Sequence, residues 1–231
     1  MKKMIALFLA VMMMATCALA VAEEADYEYE MDFYDVMSED YEPVLNLYKQ
    51  AYAEKWDAEK LLENNLWPLL NTMDETAAQE IMVDFFNLED TPEASMVVYI
   101  NSSEENDFAD VLAIYTLKED RTIVTNAIGG ERNRYALGEK NGEMFVLNYG
   151  SNSAAQFGCY FLKMKDSELV MQDGVIADYE VNAENPYFYT VDTDWDVTND
   201  TPMSNEEAQA LIDLYTPVEM GDPMTLLELD W

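Results

Sequence analysis

The segment from about residue 81 to residue 191 consists of short β-rich runs separated by turn residues, and this pattern constrains the fold more than any other feature of the sequence. Asn141-Gly142 lies between two of the runs, and this dipeptide favours a two-residue hairpin turn. Asp173-Gly174 is placed in the same way between two others. Because consecutive hairpins produce an antiparallel meander, we expect an antiparallel sheet. The predicted strands are residues 81–87, 95–100, 110–117, 121–127, 132–137, 143–149, 157–164, 168–172, 174–181 and 187–191.

Helical patterns flank these runs on both sides. Apolar residues recur at helical spacing between Ser38 and Trp56, and Asp57 is positioned to cap a second helix. Near the other end of the chain, Ser204 and Glu207 form a capping box that opens a helix. The predicted fold class is α+β, with an N-terminal helical hairpin packed on an antiparallel β-meander and a C-terminal helix.

Residues 1–20 have the three parts of a secretory signal peptide. A lysine pair begins the segment, residues 4–14 are uniformly apolar, and Ala18 and Ala20 give the small-x-small pattern of a cleavage site. An apolar helix of this length covers only about half of a bilayer core, so we expect cleavage and not a membrane anchor.

The predicted organisation is a signal peptide at 1–20, an acidic spacer or arm at 21–40, and a single α+β domain at 41–231. The expected location is extracellular, as a protein secreted by a bacterium. Cys17 leaves an alternative open, in which the protein is lipid-anchored at the cell envelope. No later apolar run is long enough to span a membrane.

The chain is strongly acidic, with 47 Asp and Glu against 12 Lys and Arg and a formal net charge of −35. Such a surface repels phosphate backbones and anionic lipid headgroups, so we expect no nucleic-acid partner. Half of the residues are nevertheless hydrophobic, which predicts a folded core and not an acidic disordered chain. The expected partner is another protein or a component of the envelope.

The sequence contains no histidine, and this excludes Ser-His-Asp and Cys-His catalysis together with most zinc and copper sites. Once residues 1–20 are removed, Cys159 is the remaining cysteine, so an intramolecular disulfide cannot form. Its aromatic neighbours predict a buried thiol without reactivity.

Several stretches resemble a group of secreted proteins and lipoproteins from gut clostridia whose activity is unknown. The resemblance implies location and fold, and it carries no activity to this chain. In that group a D-x-D-G-D-G loop precedes a strand, whereas here residues 87–93 lack both glycines, so a calcium role of that loop is not expected. The similar stretches are Tyr48–Leu62, Ile114–Leu117, Gly130–Tyr135, Tyr149–Ala155 and Asn185–Phe188.

Alternating carboxylates at Asp192, Asp194 and Asp196, followed by Asp200, form the strongest candidate for a metal site. Calcium prefers six to eight oxygen ligands, and D-x-D-x-D is how an EF-hand loop begins. The match ends there, because Val197 stands where the turn glycine is required. A calcium site of another geometry and a solvated acidic loop both remain open.

Arg132 and Arg134 are the candidate ligand-binding residues. They lie two residues apart in a strand-like run, so we expect them on one face, as a clamp for an anion or carboxylate or as ion pairs with surrounding acids.

No nucleophile or cofactor motif is present. The leading hypothesis is therefore a non-catalytic secreted or cell-envelope protein that acts as a binding module, with no cofactor unless Ca²⁺ is bound. The first alternative is a calcium-dependent binding module that uses the Asp192–Asp200 loop. The second is a carboxylate-pair glycan hydrolase, in which Tyr187, Phe188, Tyr189 and Trp195 stack on sugar.

Overall fold

The computed structural model describes residues 39–71, 81–88, 94–100, 110–130, 132–218, 220 and 224–225. The predicted signal peptide at 1–20, with Cys17, and nearly all of the predicted arm at 21–40 lie outside the described residues. Residues 43–231 form one compact unit, whose described part is presented below. Residues 1–42 form another unit, of which only 39–42, the start of the first helix, are described.

Two of the described helices begin where the capping residues predict. Helix α1 covers residues 39–54, and α2 covers Ala58–Glu63, with the side chain of Asp57 accepting a hydrogen bond from the amide of Lys60. A 3₁₀ helix follows at Trp67–Asn71. Helix α3, Asn205–Ile212, opens with the predicted capping box between Ser204 and Glu207.

The described strands form one antiparallel sheet, and strand residues make up 47% of the described residues. The prediction of a mostly antiparallel sheet with a few helices is therefore confirmed. The strand order is β10-β9-β8-β7-β6-β5-β3-β2-β1-β12, with β4 paired to β3 and β11 paired to β5. The strands are β1 Ile81–Phe86, β2 Ser95–Ile100, β3 Asp110–Leu117, β4 Ile123–Ile128, β5 Asn133–Lys140, β6 Glu143–Ser151, β7 Gln156–Lys165, β8 Glu168–Asp178, β9 Tyr187–Thr190, β10 Thr201–Pro202, β11 Thr216–Pro217 and β12 Met224–Thr225.

One of the two predicted hairpin turns is confirmed and the other is wrong. Asn141 and Gly142 join β5 to β6 with φ angles of 57° and 81°, the left-handed pair that a type I′ turn requires. Asp173-Gly174 instead lies inside β8, where the register shifts opposite Phe161 and Leu162. The dipeptide therefore forms a β-bulge within β8, and the turn that joins β7 to β8 lies at Asp166-Ser167.

Strand β3 changes its partner along its length. From Ala113 to Leu117 it pairs with β4, whereas at Val111 it pairs with Tyr135 of β5. Gly129 and Gly130 link the two partner strands at this point. The sheet therefore divides between β4 and β5. Within the described ranges, a single bridge, between Val111 and Tyr135, joins β3 to β5.

Hydrophobic side chains pack on both faces of the sheet, because neighbouring residues of a strand point in opposite directions. On β7, Tyr160 and Leu162 belong to a cluster that extends from β2 to β9. Cys159 and Phe161 belong to a second cluster, which Leu211 and Ile212 of α3 help to cover.

Tyr215 of the second cluster also belongs to a polar group that we call the Asp173 network, formed by Lys140, Asp173, Tyr189 and Tyr215. Lys140 Nζ donates to Asp173 at 3.0 Å and to the hydroxyl of Tyr215 at 2.9 Å. The hydroxyls of Tyr189 and Tyr215 also donate to Asp173. The ring of Tyr215 stacks on Phe161 with centroids 3.8 Å apart. These contacts fix the segment after α3 to the sheet.

Among the residues that the structure describes, no helix is both long enough and apolar enough to cross a membrane.

Candidate ligand pocket and the predicted site residues

A pocket of about 490 Å³ lies where the sheet divides between β4 and β5. This volume falls in the range of small-molecule sites. Among the described residues, apolar groups from the 3₁₀ helix and from strands β2 and β3 form most of its wall, together with two charged side chains. Its lining includes Trp67, Pro68, Leu70, Ile100, Asp110, Val111, Leu112, Gly129, Gly130 and Arg134.

The glycine pair allows the backbone to come close to both neighbouring segments. A Cβ on Gly130 would lie 2.0 Å from an indole carbon of Trp67, and a Cβ on Gly129 would lie 2.6 Å from the carbonyl oxygen of Val111. Contacts this short do not occur in real structures. Residues without side chains are therefore required here, and Trp67 lies directly against the backbone that joins β4 to β5.

An ion pair between Arg134 and Asp110 forms the charged part of the wall. Nε and Nη2 of Arg134 both donate to Oδ1 of Asp110, at 2.9 and 2.5 Å. The two side chains are 51% and 43% exposed. A guanidinium carries five N–H donors, so three remain for another acceptor, and Oδ2 of Asp110 accepts no hydrogen bond from the described residues. The pair is thus able to receive further charged groups.

The two predicted arginines lie in different local structures. Arg134 is on β5 and lines the pocket, whereas Arg132 precedes the strand and lies in the turn after the glycine pair. The carbonyl oxygen of Arg132 accepts a hydrogen bond from the amide of Ser151 at 3.0 Å, and its side chain is exposed. Arg132 is outside the regular strand, so the alternation of strand side chains does not determine which way its side chain points.

Sequence reasoning missed Trp67 and Asp110, which are distant from Arg134 along the chain. The sequence feature that could have indicated the pocket is Gly129-Gly130, which lies next to the two arginines. Paired glycines often mark a close approach of two backbones.

The predicted metal residues Asp192, Asp194 and Asp196 occupy the loop after β9. Each of their Oδ1 atoms accepts a hydrogen bond from the amide two residues further on, at 3.3, 2.8 and 3.0 Å respectively. These carboxylates therefore form successive turns of the loop. Within the described ranges, no group of three or more His, Cys, Asp or Glu side chains is arranged to hold a metal ion.

Asp200 differs from the other three because part of its carboxylate is buried. Among the described residues, its Oδ2 atom has no hydrogen-bond partner, and neither does the hydroxyl of Tyr160, a residue with only 2% of its surface exposed. Burial raises the pKa of Asp200, and Asp192 and its two neighbouring carboxylates raise it further, while a hydrogen bond from Thr190 acts in the opposite direction. Two polar atoms without partners therefore lie beneath the acidic loop.

The aromatic residues predicted to stack on sugar are divided between the two faces of the sheet. Phe188 belongs to the first cluster, and Trp195 packs against that cluster. The rings of Trp195 and Tyr160 meet edge-on, with their centroids 5.4 Å apart. Tyr189 points to the opposite face, where it binds Asp173. Strand alternation thus prevents a single platform, and Asp110 is the one carboxylate among the described pocket residues.

Cys159 is buried, as predicted. Burial raises the pKa of its thiol to about 12, and a hydrogen bond with Tyr149 only partly offsets this effect. The thiolate is therefore scarce at neutral pH.

Family models, curated proteins and solved structures were each compared with this chain, and none of them matches it.

Proposed function

We propose that this protein is an exported, non-catalytic binding module whose ligand enters the pocket between β4 and β5. The observation that carries the proposal is the joining of an apolar wall to a half-exposed arginine in one cavity. Sites for small molecules have this composition, in which hydrophobic groups supply affinity and a few polar groups fix orientation. The ligand class is a small molecule with an apolar body and a carboxylate, free or carried by an envelope component.

Arg134 is the group that recognises the carboxylate. Its guanidinium is permanently charged and binds a carboxylate through two parallel hydrogen bonds. Trp67 and Leu70 would contact the apolar body, and Leu70 is already exposed at the pocket. Covering these side chains removes apolar surface from water, and that favours binding.

The test is a calorimetric titration of the purified protein with 3-phenylpropionate. We expect saturable binding, and Arg134→Gln should weaken it by at least about tenfold, because the charge-assisted hydrogen bonds of the guanidinium are lost. Arg132→Gln is the matched control, since it removes an equal charge two residues away without touching the pocket. Absence of binding, or equal losses in both variants, would overturn the proposal.

A second candidate is a calcium-dependent module that uses Asp192, Asp194, Asp196 and Asp200. The observation in its favour is the pair of unpartnered buried oxygens, Oδ2 of Asp200 and the hydroxyl of Tyr160. Calcium in the millimolar range should then raise the melting temperature of chelator-treated protein, and Asp200→Asn should abolish the rise. An unchanged melting temperature would leave a buried water as the simpler occupant.

The proposal includes export through the signal peptide at 1–20, with lipid attachment at Cys17 as the alternative. We also propose that the protein is a member of the clostridial group and that its partner is a protein or an envelope component. The proposed fold is a helical hairpin packed on the meander, with a C-terminal helix. Mass measurement of the mature N-terminus distinguishes cleavage after Ala20 from a lipidated cysteine.

A further inference from the structure

We infer that the pocket binds a free α-amino acid with a large apolar side chain, recognised as a zwitterion. This inference rests on the proposed function and specifies its ligand. The observation that carries it is the presence of two opposite charges side by side in a cavity wall whose other described residues carry no charge and are mostly apolar.

Asp110 is as much a part of the pocket as Arg134. Both side chains are about half exposed, and their contact uses only Oδ1 of the carboxylate and two of the five guanidinium donors. The remaining donors suit a carboxylate, and Oδ2 of Asp110 suits an ammonium group. A ligand with both groups satisfies both residues, whereas a simple acid leaves Asp110 beside its own negative charge.

The distance between the two charges selects the ligand. Arg134 and Asp110 are in direct contact, so the complementary groups of a ligand must also be close neighbours. The ammonium and carboxylate of an amino acid are attached to one carbon and meet this condition. The ends of an extended dipeptide are separated by roughly 7 Å, which is too far for the same pair.

The net charge of the whole chain also favours a zwitterion over a simple anion as the ligand. A formal charge of −35 repels a simple anion as it approaches the protein, and that lowers both its local concentration and its rate of association. A zwitterion has no net charge and does not meet this barrier. Its dipole is then oriented by the ion pair inside the pocket.

The apolar wall accounts for the side-chain preference. Ile100 and Val111 line the cavity from two strands, and Trp67, Pro68 and Leu70 line it from the 3₁₀ helix. A glycine or serine ligand would leave this apolar surface exposed to water. We therefore expect phenylalanine or leucine to bind more tightly than serine.

The experiment compares four probes by calorimetry: L-phenylalanine, L-leucine, 3-phenylpropionate, which lacks the ammonium, and phenethylamine, which lacks the carboxylate. We expect L-phenylalanine to bind at least about tenfold more tightly than either analogue, because each analogue loses a charge-assisted hydrogen bond. Asp110→Asn should remove the advantage of L-phenylalanine over 3-phenylpropionate while 3-phenylpropionate still binds. Arg132→Gln should leave all four affinities unchanged.

The outcomes separate the inference from the proposed function. If 3-phenylpropionate binds as tightly as L-phenylalanine, the zwitterion inference is wrong and the proposed carboxylate site remains. If phenethylamine binds most tightly, the recognition by Arg134 is wrong as well. If none of the four probes binds at millimolar concentration, both the inference and the proposed function are overturned.

Discussion

Two ion pairs of this protein have similar chemistry and different surroundings. Lys140 and Asp173 are only 24% and 21% exposed, whereas Arg134 and Asp110 are 51% and 43% exposed. Both oxygens of Asp173 accept hydrogen bonds within the Asp173 network, while one oxygen of Asp110 accepts none from the described residues. A fully satisfied pair stabilises the fold, and a partly satisfied one is free to bind a ligand.

The largest expected effect is that of Asp173→Ala. The substitution leaves a lysine and two tyrosine hydroxyls without their acceptor, so the free energy of unfolding should fall by about 2 kcal/mol. Chemical denaturation measures this loss. Asp110→Ala is the control, and an equal loss there would contradict the division between a structural pair and a ligand-binding pair.

A smaller effect is expected from Tyr215→Phe. The ring keeps its stacking on Phe161 and its edge contact with Phe145 while the hydroxyl is lost. Asp173 retains Lys140 and Tyr189 as donors, so the cost should be about 1 kcal/mol. Denaturation of the single variants and of the double variant with Asp173→Ala measures the coupling between the two groups. If the two losses simply add, these groups do not form a network.

The pH dependence should distinguish Asp173 from Asp200. Burial raises the pKa of Asp173, but hydrogen bonds from Tyr215, Lys140 and Tyr189 outweigh it and hold the pKa below its usual value. Its contribution is therefore present above the unfolded pKa of about 3.9 and is lost as the pH falls through the folded value. The difference in melting temperature between the wild type and Asp173→Ala should shrink below about pH 4.

Asp200 should behave with the opposite sign. Its pKa is raised, so its ionised form lowers stability above the folded pKa, and this penalty disappears as the pH falls. Asp200→Asn should therefore raise the melting temperature at pH 7 and lose this advantage in acid. A variant less stable than the wild type at pH 7 would indicate that the ionised carboxylate has a partner.

The smallest expected effect on stability is that of Arg134→Gln. An ion pair this exposed contributes less than about 0.5 kcal/mol, because water screens the charges. Thermal unfolding without ligand should hardly change, although binding of the carboxylate probe should weaken. A loss of stability as large as that of Asp173→Ala would mean that Arg134 is structural and not available to a ligand.

Local chemistry explains which elements could be predicted from the sequence. Asn141-Gly142 has a turn preference that neighbouring residues do not override, and Ser204 with Glu207 caps α3 through contacts within one turn. Asp173-Gly174 has the same turn signature, but β8 continues through it because β7 pairs with it along its whole length. A Cβ on Gly174 would also lie 2.3 Å from the terminal methyl of Met171 and 3.0 Å from Thr190 and Tyr160, so these side chains would have to shift to admit a larger residue.

The candidate site could be predicted only in part, for a related reason. Arg134 stands out in an acidic sequence, but the pocket exists because the 3₁₀ helix with Trp67 meets the end of β4 and the start of β3. Those contacts depend on where β3 changes its partner. The hydrophobic periodicity of the sequence does not indicate where a strand changes its partner. The glycine pair does indicate that two segments come into close contact there.

The arrangement of the sheet also implies an order of folding. Strands β5 to β10 lie side by side in the order of the chain, so their pairs close over short loops and can form early. Strand β1 receives its second neighbour from β12, where Met82 pairs with Thr225. One edge of β1 therefore stays unpaired until the segment that contains β12 has been synthesised and has folded onto it. An unpaired edge of this kind is where chains associate with one another, so truncation near Met224 should promote aggregation more than its small contact area suggests.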